Sequence, residues 1–276
     1  MTTFDPNVLL NAEFTTTAPA EPDWSPYQCA IFDHVENTKH NLSIEAVAGS
    51  GKSTTIVAAT KRLPANSKAL FLAFNKSIVR DLEAKLPIST DAATLNSLGH
   101  GLLMRKLRNQ GLSPKLDGYR LWNITRNVIT PDDWEEYGTS LVRMLSLARA
   151  SAVGILVPND YTTFTAMLGD YDVDIPLKHE IRACRQAAVI FNKLLNIEDS
   201  FDFDDQLYMP VYWEVSFPRY DAVFVDEAQD LSPIQHLMLG RLADSGALIF
   251  AVGDSRQSIY RFRGADSQFM FIMAER

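Results

Sequence analysis

Residues Ala46-Val47-Ala48-Gly49-Ser50-Gly51-Lys52-Ser53 constrain this chain more than any other stretch, because they join a strand to a helix through a loop that few side chains permit. The apolar run 42–47 predicts a buried strand, and 52–63 predicts the helix that follows. Between them, Gly49 and Gly51 let successive backbone N–H groups turn inward and surround phosphate oxygens. The new helix aims its positive N-terminal end at the same place. Ala48, Gly49, Ser50, Gly51, Lys52, Ser53 and Thr54 are therefore the candidate phosphate cradle. Lys52 would reach the β- and γ-phosphates, and the Ser53 hydroxyl would ligate Mg²⁺.

Two later segments narrow the chemistry. The apolar run 222–225 ends in Asp226-Glu227-Ala228-Gln229. A hydrophobic strand that delivers two adjacent carboxylates at its C-terminal end suits a Mg²⁺–nucleotide site, with Asp226 holding the metal and Glu227 polarising the attacking water. A second predicted strand, 247–252, runs into Gly253-Asp254-Ser255-Arg256-Gln257-Ser258-Ile259-Tyr260-Arg261-Phe262-Arg263-Gly264-Ala265. Gln257 can bridge a γ-phosphate, and the aromatics and arginines beyond it suit a nucleic-acid strand. Tyr260 and Phe262 could instead pack in the core.

On these motifs the chain resembles the N-terminal half of a UvrD-like superfamily 1A DNA helicase, close to the F-box DNA helicase branch. The phosphate loop has the form usual in that family, with Ala46 in first position. Gln28, in Tyr27-Gln28, stands where the family places the glutamine that reads adenine; an ordinary helix-start glutamine is the other reading of it. Phe71-Leu72-Ala73-Phe74-Asn75-Lys76 resembles the next motif, which implies single-stranded DNA contacts at Phe74 and Asn75. Thr94-Leu95-Asn96-Ser97-Leu98-Gly99 resembles the one after, implying a further contact at Thr94, although the family commonly has Phe-His where Leu95-Asn96 stand. Phe201-Asp202-Phe203-Asp204-Asp205 resembles the short acidic motif before the Asp-Glu strand. The segment from Gly253 matches the family's coupling motif, with Tyr260 and Phe262 as DNA-stacking candidates and Arg263 placed to link nucleotide and DNA states.

The resemblance implies an α/β fold: a RecA-like P-loop NTPase domain with a mostly parallel sheet, interrupted by an inserted α-helical subdomain. Predicted strands at 42–47, 69–74, 90–94, 222–225 and 247–252, with helices between them, agree with a parallel sheet covered on both faces. The expected division is a disordered leader over 1–23, an ATP-binding domain from 24–105 and 200–276, and a helical insertion contacting DNA over 106–199. The implied cofactors are ATP and Mg²⁺, and the implied partners are single-stranded DNA and fork DNA. In the family a second RecA-like domain follows and supplies arginines that complete the ATP site. Nothing after Ala265 can supply them, so the resemblance implies half of a 3′-to-5′ motor that needs the second RecA-like domain in cis or in trans. A non-catalytic ATP- and DNA-binding module of a split helicase, or a non-motor P-loop enzyme, are the alternatives.

Composition sets outer bounds. The chain has 276 residues, of which 46% are apolar, enough for one large or two modest domains. No apolar run approaches a membrane span, so no membrane partner is expected, and the setting implied is intracellular and DNA-associated, cytoplasmic with the nucleus left open. Cys29 and Cys184 sit in apolar helical patterns and read as buried thiols rather than a disulfide or a metal site. A net charge of −8 argues against a DNA-coating surface but allows a local groove. From 101 to 130, six basic residues (Arg105, Lys106, Arg108, Lys115, Arg120 and Arg126) face one acid, Asp117, with Tyr119 and Trp122 interleaved. That pattern suits phosphates and bases, or a helix face solvated by arginines. Further on, Ile181, Cys184, Ala188, Phe191 and Leu195 predict a narrow packing seam on one helix.

Overall fold

The computed structural model describes residues 23–47, 49–197, 199–254 and Arg256. Helices and strands first alternate: α1 (Pro26–Asn37), β1 (Leu42–Glu45), α2 (Lys52–Thr60), β2 (Ala69–Leu72), α3 (Lys76–Glu83) and β3 (Thr90–Ala93). A mainly helical stretch follows, with α4 (Leu95–Asn109), β4 (Lys115–Leu116), α5 (Arg120–Val128), α6 (Pro131–Ala150), α7 (Tyr161–Asp170), α8 (Glu180–Leu194) and β5 (Ser200–Phe201). Alternation then resumes with α9 (Phe203–Tyr212), β6 (Ala222–Val225), α10 (Pro233–Asp244) and β7 (Leu248–Gly253). The fold is α/β and RecA-like.

Five strands form one parallel sheet in the order β1-β7-β6-β2-β3. Residues 200–253 thus return to insert β6 and β7 between β1 and β2. All five strands point the same way, so Glu45, Leu72, Ala93, Val225 and Gly253 end at a common edge. The expected buried strand at the phosphate loop needs correction. Leu42, Ser43 and Ile44 are only half-buried, because among the described residues β1 is the outer strand of this sheet and pairs only with β7.

Two-residue periodicity sorts the strand side chains between two faces. Ala69, Phe71, Ala222, Phe224, Phe250 and Val252 pack under α1 to α3 with Phe32, Ile56 and Leu82. The alternate positions, Leu70, Leu72, Val223, Val225, Ile249 and Ala251, join a larger core that continues without a break through α4 to α10. The helices between β3 and β6 therefore share one hydrophobic interior with the back of the sheet. The two-stranded parallel pair β4–β5, with Lys115 opposite Ser200, pins the beginning and the end of that helical stretch side by side.

Capping residues fix where the helices start. Ser25 with Gln28, Thr94 with Ser97, Asp202 with Asp205 and Ser232 with Gln235 form reciprocal capping boxes. Pro26, Pro131 and Pro233 occupy first-turn positions where a missing N–H costs nothing. α4 and α9 approach so closely that a Cβ on Gly99 would collide with the Gln206 carbonyl. The predicted seam on α8 is rotated: Ala183, Cys184, Ala187, Ile190, Phe191 and Leu194 are the buried set, and Ile181 is exposed. A broader apolar face sinks between α5, α6 and α7, where the predicted stripe was the narrow one. Cys184 is buried as expected, but Cys29 is exposed, because α1 covers the sheet with Phe32 and Val35 instead.

Candidate functional site

The parallel sheet brings the two halves of the site to one edge. Lys52 and Ser53 open α2 directly after the loop, and Asp226 and Glu227 directly follow β6. Gly49 and Gly51 hold left-handed backbone (φ 75° and 81°), the conformation that a side chain would disfavour. Gly51 is also the N-cap of α2 and offers no side chain to satisfy the first helical N–H groups. The first turn of α2 therefore presents its N–H groups without a side-chain cap. Ala48 lies outside the described residues.

Side chains more than 170 residues apart then meet in pairs. The Ser53 hydroxyl donates to Asp226 Oδ2 at 2.6 Å. Lys52 Nζ donates to Glu227 Oε2 at 3.0 Å. Asp226 Oδ1 accepts the Glu227 N–H at 3.0 Å, which steadies the turn. Glu227 itself adopts left-handed backbone (φ 52°), uncommon for a residue with a side chain. Burial pushes the Asp226 carboxyl above the usual carboxylate range; the Ser53 hydrogen bond opposes this, and neighbouring Glu227 adds to it. Among the described residues no three His, Cys, Asp or Glu side chains form a group that could hold a metal by themselves. The oxygen donors Ser53 and Asp226 fit a hard cation that takes its remaining ligands from water and phosphate, as Mg²⁺ does.

Gln28 stands behind the loop. Its Oε1 accepts from Ser25 N and Oγ at 2.9 and 3.1 Å, and its Nε2 donates to the Thr55 hydroxyl at 2.8 Å. It links α1 to the first turn of α2. Thr54 is exposed beside it, and the Ser50 N–H bonds the Val47 carbonyl at 3.2 Å.

A cleft of about 890 Å³ opens along the same edge, between the strand ends and α5, α6 and α9. Its lining includes Asp226, Phe74, Thr94, Tyr119, Arg143 and Phe203. Phe74 is 43% exposed and Tyr119 73%. Asn75 caps α3 through its Oδ1, and the buried Thr94 hydroxyl caps α4. Asn96, where the family commonly has His, donates to the Phe203 carbonyl at 3.0 Å and so ties the β3–α4 turn to α9. Gln257, Tyr260, Phe262 and Arg263 lie outside the described residues.

The expected basic groove is partly dismantled. Arg120 is buried: it pairs with Asp205 at 2.9 Å and donates to the Leu194 and Asn196 carbonyls. Arg126 lies over the Trp122 and Trp134 rings, and Arg105 donates to the Ser216 carbonyl. Sequence reasoning missed the cluster beneath the cleft. Arg149 of α6 reaches Asp202, Asp204 and Asp205, binding the helical stretch to α9. The three aspartates were visible in the sequence, but Arg149 gives no local sign that it is their partner.

Residues 178–276 match the family model of the UvrD/REP helicase N-terminal domain. The likeness to helicases extends across nearly the whole chain. It is 24% identical to F-box DNA helicase 1 of Gallus gallus over 94% of this chain and 26% of that protein. It is 25% identical to F-box DNA helicase protein 1 of Schizosaccharomyces pombe, over 95% of this chain and 31% of that one. Against the ATP-dependent DNA helicase PcrA of Bacillus subtilis the identity is 23%, over 84% and 33%. The chain therefore spans between a quarter and a third of the length of these helicase relatives. No helix among the described residues is long and apolar enough to cross a membrane.

Proposed function

We propose that this UvrD/REP-type module binds Mg²⁺–ATP at the edge formed by α2 and β6 and a single strand of DNA in the adjoining cleft, as the ATP-binding part of a 3′-to-5′ DNA helicase. The observation that supports it most is the pairing of Lys52 with Glu227 and of Ser53 with Asp226, across a loop of left-handed glycines. Backbone N–H groups of Gly49 and of residues 51–53 would receive the phosphates, and Lys52 would turn from Glu227 to the β- and γ-phosphates. Ser53 and Asp226 would hold a Mg²⁺, which supplies positive charge to the phosphate oxygens when bound. Glu227, released from Lys52, would orient the attacking water, with Gln257 as the γ-phosphate sensor. Gln28 would read adenine, since an amide pairs with both a donor and an acceptor on the base edge.

In this reading the 24–105 and 200–276 parts make the ATP-binding domain, and the helices of 106–199 are an insertion facing fork DNA, their first boundary falling within α4. Phe74, Asn75, Thr94, Tyr260 and Phe262 are the DNA contacts, and Arg263 links them to the nucleotide. A second RecA-like domain, in cis or in trans, would supply arginines worth about 10³–10⁵ in rate in related sites. Titration of a fluorescent ATP analogue, with and without Mg²⁺, tests the site. Saturable Mg²⁺-dependent binding that Lys52→Ala abolishes is the expected result; unchanged affinity in the variant refutes the assignment.

A further inference from the structure

The cleft along the strand ends sets an exposed ring beside a fixed acceptor. Phe203, in the first turn of α9, is 57% exposed and offers a face on which any base can stack. Asp204, the next residue, lines the same cleft, and its side chain is 38% exposed. Both hydrogen bonds that it accepts among the described residues fall on one oxygen. The Ser146 hydroxyl donates to Oδ2 at 2.7 Å, and Arg149 Nη2 donates to it at 2.9 Å. Two donors from α6 thus hold the carboxylate still and leave Oδ1 as the acceptor available to the cleft.

Both guanidiniums on the cleft walls are spent within the fold. Arg143 gives its Nη groups to the Asp172 and Tyr171 carbonyls, and Arg149 gives its own to Asp202, Asp204 and Asp205. The Asn96 amide is likewise committed to the Phe203 carbonyl. A phosphate entering the cleft would find no uncommitted cation among the described lining residues, and would meet repulsion beside Asp204. A base would find a ring and an acceptor. The two pyrimidines differ in the group at C4: cytosine carries an N4 amine, from which an aspartate accepts, and thymine carries the O4 acceptor. Thymine's N3–H lies between two carbonyls that would face the carboxylate with it, so it is no equal substitute.

We infer that Asp204 selects among bases: the cleft prefers cytosine to thymine, with Asp204 Oδ1 accepting from the N4 amine of a base stacked on Phe203. The inference rests on the reading that a single strand lies in this cleft. Fluorescein-labelled oligodeoxycytidine and oligodeoxythymidine of equal length are titrated with the whole chain, at a mildly alkaline pH where cytosine N3 stays unprotonated. The cytosine strand should bind tighter by about fivefold or more, the low end of what one specific base contact is worth. In Asp204→Asn, Ser146 and Arg149 both require an acceptor, so the amide oxygen takes the Oδ2 place and the NH₂ turns toward the strand. Loss of the charge strengthens binding of both strands alike, and the ratio should fall to about one or invert toward thymine. A strand of pyrimidin-2-one, which is cytosine without its amine, checks the same contact on wild type and needs no variant to fold; it should bind no tighter than thymine. Equal affinity of wild type for the two pyrimidine strands, or a preference for thymine, overturns the inference and leaves the strand-in-cleft reading standing. So does an Asp204→Asn chain that keeps the wild-type ratio, or a pyrimidin-2-one strand that binds as tightly as cytosine. Failure of wild type to bind either strand removes the strand reading and the inference with it.

Discussion

Arg149→Met probes the junction on which the cleft depends. The guanidinium is fully buried; Nη1 donates to both Asp202 oxygens at 2.7 and 2.9 Å and to Asp205 Oδ1 at 3.0 Å, while Nη2 donates to Asp204 at 2.9 Å. Methionine fills much of the same volume, so the packing loss is small and the electrostatic loss dominates. Removing one partner of a buried ion pair costs about 3–5 kcal/mol, because the other charge stays behind without compensation. Asp202 and Asp205 are the buried side chains left behind, and only Asp205 keeps an arginine partner, Arg120 at 2.9 Å. Asp204 is half-exposed and water screens it, so it adds little. The expected loss in urea denaturation near pH 7 is therefore about 3–5 kcal/mol. Its pH dependence has a definite sign. Burial already pushes the Asp205 carboxyl up to about 6 while Arg149 pulls it down, so deleting Arg149 raises it further. A carboxyl raised above its unfolded value penalises the fold fully above its folded pKa, and the penalty fades as pH falls toward the unfolded value near ~4. The deficit of the variant should shrink between about pH 7 and pH 5. A loss below about 1 kcal/mol, or one equal at both pH values, would refute the assigned role.

Lys52→Ala should abolish Mg²⁺–ATP binding while circular dichroism stays unchanged and stability moves by no more than about 1 kcal/mol, since its partner Glu227 reaches solvent. Gln28→Ala should erase a preference for ATP over GTP in competition titrations; equal affinity of wild type for both nucleotides would remove the basis for that role. Gly99→Ala should cost about 1–3 kcal/mol in urea denaturation, because the new methyl meets the Gln206 backbone carbonyl rather than a side chain that can swing away. Phe262→Ala should weaken oligothymidine binding by about 1–3 kcal/mol in anisotropy titrations, and undiminished affinity would argue against stacking there.

The strand–loop–helix at Gly49 and the strand ending at Asp226 were legible in the sequence because each is written locally: an apolar run, a turn that needs glycine, and polar side chains placed at the end. Parallel pairing then converts those local features into a site without further instruction. What escaped reading depends on partners far away in the chain. Arg120 looks like any surface arginine until Asp205 and two carbonyls close over it. Cys29 follows an apolar helical pattern, but α1 turns Phe32 and Val35 inward and leaves the thiol outside. The place of β1 at the sheet margin follows from strand order, which an apolar run cannot express.

With Arg120 enclosed under the cleft, Arg126 held over two tryptophans and Arg105 tied to a carbonyl, three of the six basic residues between 101 and 130 are already engaged within the fold. For a single strand lying across this surface, each phosphate neutralised steepens the fall of log affinity with log salt by about 0.7, through released counterions. Lys106, Arg108 and Lys115 alone give a slope of ~2, where all six would give ~4. Contact by exposed rings such as Phe74 and Tyr119 releases no ions at all. A strand would therefore be drawn in slowly by this acidic chain, yet held with little regard to ionic strength once its bases had found the rings.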